Sequence, residues 1–101
     1  MTDTCNETFE LFGDQWNLRI IDSIHLENRR FTEIQRLTTI NTATLTKKLK
    51  YLEKLGLLDR IQEYCDKQSV AYRLTELGRE LLPIIKKMRH FSSQLDVSAK
   101  E

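Results

Sequence analysis

The chain has 101 residues, 40% hydrophobic and 31% charged, with three glycines and one proline; this excludes a disordered chain and a turn-rich barrel or sandwich, and suits one domain spanning 1–101. Net charge is only +1, yet residues 1–28 set one arginine against six carboxylates, 29–60 set eight Lys/Arg against three, and 61–101 set seven against six, so positive charge for a polyanion is concentrated in the middle third. No apolar run approaches the roughly 18 residues of a membrane span, and the opening MTDTCNETFE has no signal-peptide pattern, so a cytoplasmic protein with reduced cysteines and no membrane contact is expected.

Residues 5–12 read as a short helix with Phe9 and Phe12 three apart, broken by Gly13. Asp14 caps a second helix, in which Trp16, Ile20 and Ile24 recur every four residues beside Ile21 and so bury one face. It fades at Leu26-Glu27-Asn28, and a third helix starts at Arg30-Phe31-Thr32 with Phe31, Ile34 and Leu37 as its apolar marks. Thr38 to Asn41 is a polar turn anchored by Ile40. Asn41 or Thr42 caps the fourth helix, which runs to Gly56, a natural residue just past a helix end. Two helices joined by about four residues, the second basic, make a helix-turn-helix over 30–56.

Beyond Gly56 the period changes. Val70, Tyr72 and Leu74 alternate as a half-buried strand does, Leu57 to Tyr64 supplies a partner strand, and CDKQS connects them. The result is a two-stranded hairpin, or wing, over 57–74. Thr75 opens the last helix, where Leu77, Leu81, Ile84, Met88 and Phe91 step by four and three and Leu82 and Ile85 widen the stripe. Pro83 within it predicts a kink or break. Leu81, Ile84, Ile85, Met88 and Phe91 offer more apolar surface than so small a core needs, which points to a second buried face against another subunit. The competing reading is a wholly internal helix. Residues 94–101 are expected to fray. The expected fold is mainly α with a small β-hairpin: a winged helix-turn-helix flanked by N- and C-terminal dimerisation helices, 5–28 and 75–93.

In the fourth helix Leu45, Leu49 and Leu52 define a buried side, so Ala43, Lys47, Lys50 and Lys54 point away from it, Thr44 and Tyr51 flank them, and Lys48 lies at the border. Small and hydroxyl residues at the N-terminal end, Thr42 among them, permit close approach to base edges in a major groove, while lysines further along suit phosphates. Lys67, Gln68 and Arg73 of the wing, and Arg29 and Arg30 before the third helix, are further candidates for DNA contact. An ordinary solvated lysine face is the bland alternative.

Little else in the sequence carries chemistry. His25 and His90 stand at helix ends, and there is no Gly-rich phosphate loop, HExxH or CxxC pattern, so no enzymatic activity, cofactor or metal is expected. Cys5 has Asp3 and Glu7 nearby, which raise a thiol pKa, and a helix N-terminus, which lowers it. It is therefore either a redox sensor or a packed interface thiol. Cys65 falls at the wing tip.

These pieces together resemble the HxlR-type branch of the MarR-like winged-helix transcriptional regulators. The likeness is carried by Cys5, Gly13-Asp14-Gln15-Trp16, Arg30-Phe31-Thr32-Glu33-Ile34, Leu45-Thr46-Lys47-Lys48-Leu49, the run Leu52 to Arg60, and Tyr72 to Gly78, in the family's order over residues 5–91. The sequence departs from the pattern at Lys48, where arginine is usual, at CDKQS, which lacks a proline, and at Phe91, where tryptophan is common. The resemblance implies a homodimer built from the terminal helices, Phe9 and Phe12 included, that binds a near-palindromic double-stranded operator. It also implies an oxidant or small-molecule effector acting through the cysteine matching Cys5. A winged helix that binds another protein instead of DNA is the alternative function.

Overall fold

The computed structural model describes residues 4–62 and 70–95. Its elements are α1 (Thr4–Gly13), α2 (Gln15–Ile24), β1 (Arg29–Arg30), α3 (Phe31–Thr38), α4 (Thr42–Lys54), β2 (Leu58–Gln62), β3 (Val70–Leu74), α5 (Glu76–Arg79) and α6 (Leu81–Ser92). The helices enclose one core, centred on Ile20, Ile21 and Ile24 of α2, Ile34 of α3 and Leu45, Leu49 and Leu52 of α4.

Local chemistry sets the element ends. Asp14 caps α2 by accepting from the Trp16 amide at 2.8 Å, and Asn41 caps α4 by accepting from the Thr44 amide at 2.9 Å. At the other end of α4, Gly56 takes φ +78°. Its amide donates to the Glu53 carbonyl at 2.9 Å and the Leu57 amide to the Leu52 carbonyl at 3.0 Å, the paired bonds of a Schellman stop. Between α3 and α4, Thr39 adopts φ 61°, and the Gln35 amide group donates to the Ile40 carbonyl at 3.3 Å and to the Thr42 hydroxyl at 2.9 Å. One glutamine thus fixes the turn that aims α4.

The structure departs from the sequence reading of the fold in several places. The sheet has three strands in the order β1-β3-β2, not two, because Arg29 and Arg30 pair antiparallel with Tyr72 and Ala71. With a neighbour on each edge, β3 buries Ala71 as well as Val70, Tyr72 and Leu74. Leu37 is 48% exposed, and Thr38 turns inward instead, its hydroxyl donating to the Ile34 carbonyl at 2.7 Å. The last helix is two helices broken at Glu80, not at Pro83. Pro83 sits in the first turn of α6, where an amide has no helical partner to lose. Finally, Asn17 is buried at 2% exposure on the apolar side of α2, its amide donating to the Leu11 carbonyl at 3.2 Å. The connection 63–69, with Tyr64 and the expected wing tip, and the tail 96–101 lie outside the described residues.

Candidate nucleic-acid interface

Leu45, Leu49 and Leu52 are at most 1% exposed, and their burial fixes the rotation of α4. Thr42, Ala43, Lys47, Lys50 and Lys54 are consequently exposed along its outer side, while Thr44 is half-buried. The only carboxylate of α4 is Glu53, half-buried on the side that faces the sheet. The outer side of α4 therefore joins small residues at its N-terminal end to three lysines along the next turns.

Lys48, expected at the border of that side, and Tyr51, expected on its flank, turn inward. Lys48 forms an ion pair with Asp14, the α2 cap, with both side chains less than a third exposed. Burial raises the Asp14 pKa, but the Lys48 ammonium and the Trp16 amide outweigh it and hold the carboxyl below its ordinary value. Tyr51 donates its hydroxyl to Glu7 of α1 at 2.9 Å. Burial first, and then the Glu7 carboxylate, push the Tyr51 pKa up to about 12. These side chains tie α4 to the first two helices, because α1 and the α1–α2 junction pack beside it.

Among the arginines, Arg29 is committed within the fold. Its guanidinium donates to the Ser23 carbonyl at 3.1 Å and pairs with Glu27 at 3.0 Å and Glu33 at 3.6 Å. Arg30 is exposed. Arg73 is exposed and pairs with Asp59 across the strands at 3.6 Å. Lys67, Gln68 and Cys65 lie outside the described residues. The sequence reading missed Arg60. It lines a cleft of about 530 Å³ between α4 and the wing with Phe31, Thr46, Lys50, Glu53, Val70 and Tyr72. Strand alternation from Leu58 was the signal that could have found it.

A second surface is apolar. Phe9, Leu77, Ile84, Met88, Phe91 and Leu95 are all exposed. Ile84 joins the outer face of α6 to a groove of about 490 Å³ lined by Leu11, Phe12, Leu55, Leu57 and Leu77. Leu81 and Ile85, expected on an interface, are each 7% exposed and belong to the chain's own core, since α6 must turn one side toward α2. Phe12 is half-buried against that core. Cys5 is exposed in the first turn of α1.

Residues 11–98 match the HxlR-like helix-turn-helix family. An uncharacterised HTH-type transcriptional regulator of Mycobacterium tuberculosis is 36% identical over 83 residues, which cover 82% of this chain and 52% of the relative. The chain thus spans about half the length of that curated relative. The reduced form of the redox regulator HypR superimposes with a TM-score of 0.84 at 29% identity, covering 98% of this chain and all of that one (100%). The reduced transcriptional regulator YodB of Bacillus subtilis does so with a TM-score of 0.80 at 28% identity, covering 97% of each chain. Both share the winged helix-turn-helix architecture described above.

Proposed function

The chain belongs to the HxlR-like helix-turn-helix family, and from that premise we propose that it is a DNA-binding transcriptional regulator. Two copies bind a near-palindromic operator, each placing the outer side of α4 in the major groove. The observation that carries this reading is the exposed row of Ala43, Lys47, Lys50 and Lys54 over a fully buried leucine stripe. Thr42, Ala43 and Thr44 approach base edges, and Lys47, Lys50 and Lys54 meet the phosphates beside them. Arg30 and Arg73, both exposed, make peripheral backbone contacts in this reading. No catalytic role is assigned, and the protein acts in the cytoplasm; no helix among the described residues is long and apolar enough to cross a membrane.

Binding to duplex DNA should weaken steeply as salt rises, through counterion release. The Lys47→Glu and Lys50→Glu variants should abolish it at moderate salt, while Lys87→Glu on α6 should change it little. Equal effects at the three positions would refute the assignment of α4.

The apolar face of α6, with Phe9 and the adjoining groove, supports homodimerisation. Cys5 is exposed on the helix whose Glu7 reaches Tyr51 of α4, which supports a response to oxidants or electrophiles. Mild diamide should alter operator affinity of the wild type but not of Cys5→Ser. Identical behaviour of the two would remove the sensor from the account.

A further inference from the structure

We propose that the cleft between α4 and the wing seats one DNA backbone phosphate, with Arg60 of β2 and Lys50 of α4 as its two cationic arms. The inference rests on the DNA-binding reading above and adds to it a contact made by the inner face of the sheet.

The strand register carries the argument. Leu58, Arg60 and Gln62 pair with Leu74, Tyr72 and Val70, so these residues share one face of the sheet. At its base that face is core, with Leu58 and Leu74 almost wholly buried. Two residues further toward the tip it carries Arg60, which is exposed. An arginine on the core-facing side of a strand breaks the apolar pattern where an ordinary sequence would continue it. The opposite face already holds the usual cross-strand ion pair, Asp59 with Arg73, so that pair does not explain Arg60.

Across the cleft stands α4. Thr46, Lys50 and Glu53 form the stripe that lines it, at the spacing that brings side chains onto one helix face. Lys50 also borders the outer row with Lys47 and Lys54. A phosphate held here therefore lies at the edge of the groove that α4 enters, where backbone contacts set the register of a recognition helix. Tyr72 is 8% exposed; burial raises its pKa, and the Arg60 guanidinium beside it acts in the opposite direction. A guanidinium has five N–H donors in a rigid fork, so a contact with Tyr72 does not exhaust it. Among the described residues, Glu53 is the one carboxylate lining the cleft. It lies half-buried beside Tyr72, and among the described lining residues Lys50 and Arg60 outnumber it.

The test compares wild type, R60Q, R60K and K47Q on an operator selected from random duplexes and on unselected duplex, over a salt series. Arg60→Gln should weaken both by a similar factor, at least about tenfold, and make the plot of log affinity against log salt shallower by about 1.8, or about 0.9 for each of the two copies bound. Arg60→Lys should restore most of the loss. Neutral methylphosphonates placed one at a time along the operator should reveal one position per half-site that weakens wild type but not R60Q further. If R60Q does not fold, K50Q takes its place in that scan. R60Q binding like wild type with an unchanged salt slope, while K47Q is impaired, would overturn the phosphate seat and leave the DNA-binding reading intact. A wild-type protein that binds no duplex at any salt would overturn both.

Discussion

The four lysines of α4 have different fates, although they fall within eight positions of the sequence. Three remain exposed, and Lys48 closes onto Asp14, 34 residues earlier. Lys48→Gln should lower the unfolding free energy by about 1 kcal/mol, as loss of a partly buried ion pair does. Lys47→Gln should stay within about 0.5 kcal/mol. Urea unfolding of the two variants separates these roles. The Asp14 carboxyl is depressed, so its contribution is full above the ordinary value of 3.8 and is lost as pH falls through the lower folded value. The stability gap between wild type and Lys48→Gln should therefore close in strong acid. A gap that persisted there would show that Lys48 acts through packing alone. Tyr51 behaves with the opposite sign. Its pKa is raised to about 12, so its contribution is full below the ordinary value of 10 and fades as pH rises through the folded one. Helical phase placed Lys48 at the border of the exposed face and Tyr51 on its flank, but their partners, Asp14 and Glu7, come from distant sequence. No local periodicity could have supplied them.

At the scale of the element, stops and starts were more legible than pairings. Gly56, Asp14 and Asn41 act as the sequence implied, because a cap or a positive φ is a property of one residue and its neighbours. The strand β1 was not legible. Two residues have no period to read, and Arg29 and Arg30 become a strand only because β3 lies beside them. The helix interruption falls at Glu80, three residues before Pro83, which has no amide to bond the Arg79 carbonyl; packing against the wing acts at Gly78. A Cβ on Gly78 would come within 2.2 Å of the Leu57 carbonyl oxygen, so α5 can approach the base of the wing only without a side chain there. Thr75 completes that junction, its hydroxyl donating to the Gly56 carbonyl at 2.6 Å and accepting from the Gly78 amide at 3.0 Å. Gly78→Ala should cost about 1–3 kcal/mol by overpacking. Gly13→Ala, where nothing lies within 4 Å of the added atom, should be neutral or stabilising by up to about 1 kcal/mol. Thermal unfolding of both variants checks the contrast.

For the whole molecule, exposed apolar surface is concentrated at α6, and the uninterrupted basic row belongs to α4. Ile84, Met88 and Phe91 of α6 are exposed, as is Phe9 of α1, while Leu26 and Leu37 are exposed elsewhere. The excess of apolar residues in the last helix was visible in the sequence. Which of them face out was not: the same stripe supplies Leu81 and Ile85 to the core and leaves Ile84, Met88 and Phe91 exposed. Phe91→Glu and Met88→Glu should therefore shift the protein toward monomer in sedimentation and weaken operator binding together. Dimers that persist in both glutamate variants would move the interface elsewhere.

The central claim is that the outer side of α4 lies in a major groove. Dimethyl sulfate footprinting on a selected operator tests it most directly, because guanine N7 opens to the major groove. The account predicts protection of guanine N7 in two half-sites about 10 base pairs or a small multiple apart, and loss of that protection with Lys47→Glu. Tight, saturable binding that leaves every guanine N7 reactive would contradict it.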